Sequence, residues 1–223
     1  MTMRRLFWTL LKKDFRIELR ARDALFTAFF FSIVVIVVFT FAIFDPQTAA
    51  RLVNGLIWIA TTFAATFLFS RSFAREVEAG TLDALLLSAA PRPLVFLSKW
   101  IVNFTFSVSV ALFVSGLAAF LFTVPITTRF DLWLVVLSLG LFGFTALGTL
   151  LSAMVASARL RDGMLPIALY PLSVPALLAA VKGSQALTLP GAPDFDAWIT
   201  VLLIYDGVFG AAALWLFGVV VEE

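Results

Sequence analysis

Asp206 and Tyr205 are adjacent in a long apolar run near the end of the chain, where their side chains could take part in proton or ion transfer. A carboxylate surrounded by hydrocarbon is a functional hypothesis by default, because leaving it charged and unpaired costs several kcal/mol. The sequence brings no further ionisable side chain close to this pair. It therefore predicts either an intramembrane polar site at Asp206 and Tyr205, or a carboxylate that simply reaches outer-side water or a tyrosine hydroxyl.

The sequence contains no histidine and no cysteine, which excludes much other chemistry. Histidine is the commonest metal ligand, the usual axial ligand of haem iron and the most frequent acid–base group near neutral pH. Without cysteine there can be no disulfide bond and no thiolate metal site. We therefore expect a non-catalytic chain that binds no metal and no cofactor of its own.

The sequence EAGTLDALLLSAAPRP, residues 78–93, lies between two apolar runs and predicts a short helix. Gly80 can end the helix that precedes it, since glycine is favoured just past a helix C-terminus. Thr81 can cap the next helix with its hydroxyl, and Asp83 lies where the helix dipole favours negative charge. The apolar positions of this helix recur at helical spacing and form one face: Leu82, Leu85, Leu86 and Ala89. The prolines at the end of the stretch stop it.

A helix this short persists only when it docks on another surface, because isolated short helices are marginal in water. Its leucine face suits either the lipid headgroup layer or a groove on a soluble protein, and the sequence does not decide between them. The charged residues 71–79 are predicted to continue the preceding helix. Glu76 and Glu78 then lie at the entrance of a hairpin over residues 71–93.

Composition identifies the lipid bilayer as the solvent of this chain. The 223 residues are 62% hydrophobic and 13% charged, against about 45–50% and about 25% in soluble domains. A soluble chain of this size has too little interior to bury so many apolar side chains. We predict an all-α integral membrane protein with one transmembrane domain over residues 1–223. Six runs can cross at about 20 residues each: residues 24–44, 52–70, 99–123, 131–157, 164–181 and 197–221.

Basic residues are distributed asymmetrically between the two sides of these spans. Thirteen of the 16 Lys and Arg residues lie before span one, between spans two and three, or between spans four and five. The other side carries Arg51, Arg129 and Lys182. By the positive-inside rule, both termini and the hairpin at residues 71–93 are predicted to be cytoplasmic.

Residues 1–23 are predicted to form an amphipathic helix on the cytoplasmic side. A stripe of cations lies beside its apolar residues. The apolar residues recur at four-residue spacing: Phe7, Leu11, Phe15 and Leu19. Such a helix can lie in the membrane interface, with its cations toward anionic headgroups. Two roles stay open, an anchor that orients the first span and an elbow that links a cytoplasmic partner to it.

Three further patterns concern the membrane-embedded part and its outer side. A strip of small residues is formed by Gly148, Ser152 and Ala156. It predicts close approach of another helix, with self-association as an alternative. Three prolines predict a kink or a break in the fifth span: Pro166, Pro171 and Pro175. Residues 182–196 are rich in turn formers and predict an outer loop.

Two long stretches, together with the basic amphipathic start, carry a resemblance to a known family. They are NGLIWIATTFAATFLFSRSFAREVEAGTLDALLLSAAPRPLVFLSKW at residues 54–100 and RLRDGMLPIALYPLSVPALLA at residues 159–179. The chain resembles the haem exporter protein B (CcmB) family, the permease subunits of the cytochrome c maturation system. The resemblance covers almost the whole chain and is most specific at residues 76–88. It implies a multi-pass protein of the bacterial inner membrane.

The resemblance also implies a set of partners. These are a second copy of the chain, a separate cytoplasmic ATPase subunit of the ABC type, a haem-handling membrane protein, a small accessory membrane protein and a periplasmic haem chaperone. ATP would be bound by the ATPase. Haem would be handled by the other subunits, since this chain lacks the usual axial ligands.

In permeases of that family, the cytoplasmic segment between spans two and three is a coupling helix that sits in a groove of the ATPase. The resemblance places this contact at Glu76, Glu78, Gly80, Thr81, Leu82, Asp83, Leu85 and Leu86. A second cytoplasmic contact is expected at Arg159, Arg161 and Asp162. The implied function is to couple ATP hydrolysis to conformational change for haem export or delivery. The alternatives are a permease for a lipid, drug or polysaccharide, an intramembrane enzyme, and a non-transporting scaffold.

Overall fold

The computed structural model of the chain describes residues 3–20, 22–80, 91–123, 129–156, 161–189 and 194–220. Apart from short turns, these residues are helical. In chain order the helices are α1 Met3–Arg20, α2 Asp23–Ala42, α3 Pro46–Ser72, α4 Ala74–Glu78, α5 Arg92–Phe122, α6 Phe130–Val155, α7 Arg161–Thr188 and α8 Phe195–Val220.

Six segments of the described part are long and apolar enough to cross a membrane. They are α2, the continuous stretch formed by α3 and α4, and the four helices from α5 to α8. They contain 20 to 33 residues each, and a bilayer crossing needs about 20. The predicted all-α fold is confirmed for the described residues, with six helices that are long and apolar enough to span a membrane.

The helices α3 and α6 form the centre of the bundle. In each of them 72% of the most apolar stretch is buried, compared with 22–33% in the other four spans. Large side chains of these two helices lie in the core with almost no exposed surface: Trp58, Phe69, Trp133 and Phe144. The outer helices instead expose many apolar side chains, as expected where the surrounding solvent is lipid.

The predicted small-residue strip brings α6 against α3 of the same chain. A side chain at Gly148 would occupy the space of the Phe69 ring. One turn further along, the Ser152 hydroxyl donates to the Phe69 carbonyl oxygen at 2.5 Å. In lipid, such close backbone approach gives the dispersion contacts that hold helices together. At these positions the strip therefore stabilises the monomer's own packing.

The helix α7 is longer than the fifth predicted span and continuous through its three prolines. Each proline removes only one backbone donor, and intramembrane helices tolerate this where neighbouring helices support them. Here α7 packs against α3, α6 and α8. The predicted break does not occur, and the helix continues to Thr188. The outer loop predicted over residues 182–196 is correspondingly shorter.

Candidate functional site

The first part of the predicted hairpin, residues 71–80, is helical apart from turn residues and ends at Gly80, as the sequence predicts. A single turn residue, Phe73, separates α3 from α4, and the two helices form one stretch over Pro46–Glu78. Gly80 has a φ angle of 64°, in the left-handed region that favours glycine, and its N–H donates to the Val77 carbonyl oxygen at 3.1 Å. The predicted contact residues Thr81, Leu82, Asp83, Leu85 and Leu86 lie outside the described residues, as does Arg159. The other two residues of the predicted second contact, Arg161 and Asp162, are the first residues of α7.

Behind this entrance lies a cluster of charged side chains, which we call the polar cluster. It contains three carboxylates and three cations contributed by α1, α4 and α5: Lys13, Asp14, Glu18, Arg75, Glu76 and Lys99. All three carboxylates and Lys99 are only 5–7% exposed. Charged groups are almost never this buried unless they are paired. The opposite charges therefore hold three separate parts of the chain together.

Lys99 lies at the centre of the polar cluster. Its Nζ is 2.7 Å from Glu76 Oε2 and 3.5 Å from Asp14 Oδ1. The same ammonium donates to the Ser72 carbonyl oxygen at 2.9 Å, and it lies 4.9 Å from the centre of the Phe73 ring. One cation from α5 thus contacts α1, the end of α3 and α4 at once.

The helix α1 is attached through several further contacts. Lys13 Nζ lies 3.0 Å from Glu76 Oε1 and 3.1 Å from Asp14 Oδ1. Asp14 Oδ2 accepts a hydrogen bond from the Ser98 hydroxyl at 2.7 Å. These charge-assisted contacts are stronger than neutral hydrogen bonds. Acidic residues therefore form part of the face by which α1 packs against α5.

A fifth ion pair also joins α1 to α4, where Arg75 Nη1 lies 2.8 Å from Glu18 Oε2. Glu18 Oε1 is buried and has no hydrogen-bond partner among the described residues. A cavity of about 230 Å³ lies beside this group and is also lined by Ser72 and Asn103. No group of acidic side chains in the described ranges could hold a metal ion. The polar cluster is thus a site of charge pairing and hydrogen bonding.

Two groups of the polar cluster on α1 have shifted pKa values. Burial raises the pKa of Glu18 above its usual 4.5, although Arg75 and Lys99 act against this. Burial alone would lower the pKa of Lys13, but the carboxylates of Asp14 and Glu76 outweigh it and raise that pKa above 10.5. Both groups therefore bind protons more tightly in the folded chain than in the unfolded chain.

Both raised pKa values make the free energy of unfolding decrease as pH rises. The Glu18 contribution to the free energy of unfolding is complete below pH 4.5 and is lost as pH rises through the raised pKa. The Lys13 contribution is complete below pH 10.5 and is lost in the same direction at more alkaline pH. Near neutral pH, the ammonium of Lys13 therefore stabilises the packing of α1.

Sequence reasoning missed Asp14 and Glu18. The sequence pattern predicts that α1 buries a face of apolar residues beside a stripe of cations. The face buried in the structure instead contains Leu10, Leu11, Asp14 and Glu18. Leu19, assigned to the apolar face, is 57% exposed. One signal was available, because two acids at i and i+4 within a basic helix lie on one face. The structure also turns Glu76 inward, while Glu78 is exposed.

The predicted intramembrane polar site is buried in the bundle. Asp206 is 6% exposed, and its Oδ1 accepts a hydrogen bond from the Gly143 N–H of α6 at 2.9 Å. The Tyr205 hydroxyl donates to the Leu172 carbonyl oxygen of α7 at 3.3 Å. The hydrogen-bond partners of these adjacent α8 residues therefore lie on different helices, α6 and α7. The structure gives Asp206 a backbone partner that the sequence did not indicate.

Replacing Gly143 with alanine is expected to lower the free energy of unfolding by about 1–3 kcal/mol, the usual cost of overpacking a core. An added Cβ would lie 2.6 Å from Asp206 Oδ1 and 2.8 Å from the Tyr205 ring. The measurement is unfolding of the purified chain by SDS in mixed micelles. Gly207→Ala is the matched control, because nothing lies within 4 Å of its added Cβ. Equal stability of the two variants would contradict this account of the contact.

Comparison with known proteins supports a family for the chain. The family model described as CcmB protein matches residues 5–220. Heme exporter protein B of Rhodobacter capsulatus is 27% identical over 211 residues, covering 92% of this chain and 95% of the relative. Heme exporter protein B of Haemophilus influenzae is 26% identical and covers 82% and 83%. Heme exporter protein B of Pseudomonas aeruginosa is 27% identical and covers 86% of each chain.

Proposed function

The chain belongs to the CcmB protein family, and from this premise we propose that it is the permease subunit of an ABC-type complex for haem export or haem delivery in cytochrome c maturation. The observation that carries the proposal is the family match over residues 5–220, nearly the whole chain. Relatives covered over most of their length bear the name heme exporter protein B. With six apolar helices, the chain is a multi-pass bacterial membrane protein.

The proposed energy source is a separate cytoplasmic ATPase subunit. It binds ATP and receives residues 81–90 in a surface groove, with Glu78 and Gly80 at the entrance. This assignment rests on the leucine spacing of the segment and on helix-in-groove recognition. It requires both termini and the hairpin to be cytoplasmic, as the distribution of basic residues favours. Arg159, Arg161 and Asp162 form a second contact with the same subunit.

The polar cluster gives this docking segment a mechanical connection to the bundle. Glu76 and Arg75 of α4 are paired with α5 and α1, through Lys99 at 2.7 Å and Glu18 at 2.8 Å. Closure of two ATPase subunits would displace α4 together with the docking segment. Because the pairs are buried, separating them is costly, so α1 and α5 move with α4. Glu76 is therefore a positioning residue in this mechanism rather than a direct contact of the ATPase.

The cargo is haem or a haem-carrying partner, and the chain's own role is to transmit movement. The sequence has no histidine or cysteine for axial ligation. Haem ligands therefore come from other subunits, a haem-handling membrane protein, a small accessory membrane protein and a periplasmic haem chaperone. The chain works as two copies, has no catalytic residues and binds no cofactor. Its two conformations are biased by the nucleotide state of the ATPase.

Deleting the gene for this chain is expected to abolish holo c-type cytochromes in the membrane and periplasm, and a plasmid copy should restore them. The readout is haem-staining of c-type cytochromes after denaturing electrophoresis, which detects covalently attached haem. Cytochromes of the b type are the internal control, because they show that haem synthesis is intact. Normal c-type cytochromes with altered export of a lipid, drug or polysaccharide would instead assign the chain to a permease with a different cargo.

A further inference from the structure

A second cavity lies between α2 and α7, with α3 as its floor. The helices α2 and α7 both pack against α3 but make few contacts with each other. The space between them is about 390 Å³, within the range of about 300–1,000 Å³ found for small-molecule sites. The coupling mechanism proposed above makes no use of this cavity.

The deeper part of the cavity is aromatic. Phe63 and Phe67 of α3 are 44% and 36% exposed and line it together with Tyr170 of α7. The ring centres of Phe63 and Tyr170 are 4.9 Å apart. A hydrogen bond of 3.1 Å joins the hydroxyls of Tyr170 and Thr66, so the polar atom of the tyrosine is satisfied within the wall. This part of the cavity offers an acyl chain an apolar surface.

Charged and hydroxyl side chains line the other end of the cavity. Asp23 and Arg71 are exposed and, within the described ranges, neither takes part in an ion pair. Thr27 donates to the Asp23 carbonyl oxygen at 2.8 Å, and Ser70 donates to the Phe67 carbonyl oxygen at 3.0 Å. Both hydroxyl oxygens can still accept a hydrogen bond. The cavity thus presents one anion and one cation to a ligand.

The order of these groups along the helices matches an amphipathic lipid. Asp23 begins α2 and Arg71 lies in the last turn of α3, at the end of the bundle that carries the polar cluster. Phe63 lies eight residues before Arg71, which corresponds to about 12 Å along a helix. Charge at the helix ends and aromatic surface one to two turns deeper correspond to the boundary between headgroups and hydrocarbon.

We propose that this cavity binds one phospholipid whose headgroup carries a phosphate and a primary ammonium, as in phosphatidylethanolamine. The guanidinium of Arg71 suits the phosphate, because it can donate two parallel hydrogen bonds. The carboxylate of Asp23 accepts hydrogen bonds from the ammonium. A choline headgroup has no N–H to donate to Asp23, and phosphatidylglycerol has no cation for it. The pair of charges therefore selects among headgroups, while the aromatic wall receives an acyl chain.

The test is native mass spectrometry of the full chain, titrated in mild detergent with phosphatidylethanolamine, phosphatidylcholine or phosphatidylglycerol of identical acyl chains. The chain should retain phosphatidylethanolamine in preference to the other two. Arg71→Gln should weaken that binding about tenfold, as expected for loss of a charge-assisted pair. Asp23→Asn should remove the preference for phosphatidylethanolamine over phosphatidylcholine while leaving phosphatidylcholine binding unchanged. A purely structural role of Asp23 would not change headgroup selectivity.

Arg51→Gln is the matched control, since Arg51 is an exposed arginine near the other end of α3. It should bind phosphatidylethanolamine as the unchanged chain does. Equal retention of the three lipids by the unchanged chain would overturn the proposal, as would an Asp23→Asn variant with undiminished selectivity. Loss of a dimer in Arg71→Gln without loss of lipid would assign the cavity to a second copy of the chain. None of these results depends on the cargo of the complex.

Discussion

Replacing both Leu85 and Leu86 with aspartate is expected to abolish co-purification of the ATPase subunit with this chain. The two leucines belong to the apolar face predicted for residues 82–89. A groove that accepts an amphipathic helix desolvates this face, and two buried carboxylates without partners cost several kcal/mol. At about 1.4 kcal/mol per tenfold change in affinity, such a loss separates the subunits at the concentrations of a purification. The measurement is affinity capture of the tagged chain, followed by quantification of bound ATPase and of its ATP hydrolysis.

Ala84→Asp combined with Leu87→Asp is the matched control. It introduces the same two charges, but an ideal helix places positions 84 and 87 on the side opposite the leucine face. This control should retain the ATPase, and the membrane content and elution profile of both double variants should show that they fold. Assembly and coupled ATP hydrolysis that survive the change at 85 and 86 would assign the helix to the headgroup layer, the alternative that its sequence leaves open. Equal loss in both double variants would contradict docking through the leucine face.

Replacing Lys99 with methionine is expected to lower the free energy of unfolding by about 3 kcal/mol, the lower part of the range for breaking a buried ion pair. Methionine fills similar space but leaves Glu76 Oε2 without the ammonium that lies 2.7 Å away. Lys13 still contacts Glu76 and Asp14 at 3.0 and 3.1 Å, so the carboxylates retain one cation. For a chain of this size the loss corresponds to a midpoint of thermal unfolding lower by about 6–12 °C. Unfolding in SDS-containing mixed micelles gives the free energy directly.

Lys12→Met provides the control, because it makes the same chemical change at an exposed position of α1. Its free energy of unfolding should stay within about 0.5 kcal/mol of the unchanged chain. The double variant Glu76→Gln with Lys99→Met should be more stable than the sum of the single changes predicts, by about 0.5–3 kcal/mol. Additive effects would show that Lys99 and Glu76 do not stabilise the chain as a pair. Identical unfolding of the two lysine variants would contradict the central position assigned to Lys99.

The candidate site was predictable where it depends on neighbouring residues in the chain. Residues 71–79 were expected to continue the second membrane helix and Gly80 to end it, and both features are present. Helix continuation and termination are local, since they depend on backbone hydrogen bonds a few residues apart and on the φ angle of one glycine. The inward orientation of Glu76, in contrast, does not follow from neighbouring residues in the sequence. It depends on Lys99 and Lys13, which are 23 and 63 positions away in the sequence.

In the helices of the bundle, too, the sequence predicts the type of contact, whereas only the packing identifies the partner. Gly148 and Ser152 were correctly expected to allow close packing, because small side chains permit it whatever the neighbour is. That the neighbour is Phe69 of the same chain was not predictable, since the alternative was another copy. Likewise, the carboxylate of Asp206 was expected to need a partner, and only the packing of α8 on α6 identifies it as the N–H of Gly143.

The sequence by itself determined that the described part of the chain is helical and that six of its segments are long and apolar enough to cross a membrane. It also predicts a short helix over residues 81–90 and a cytoplasmic location for it. These properties follow from composition, from the length of apolar runs and from local helix signals, all of which act within one segment. Only the tertiary structure decided that α3 and α6 form the core, that Asp14 and Glu18 face α4 and α5, and that Asp23 and Arg71 share a cavity. The physical reason is that burial and ion pairing depend on which helices are neighbours, and neighbours are chosen by the packing of the whole bundle.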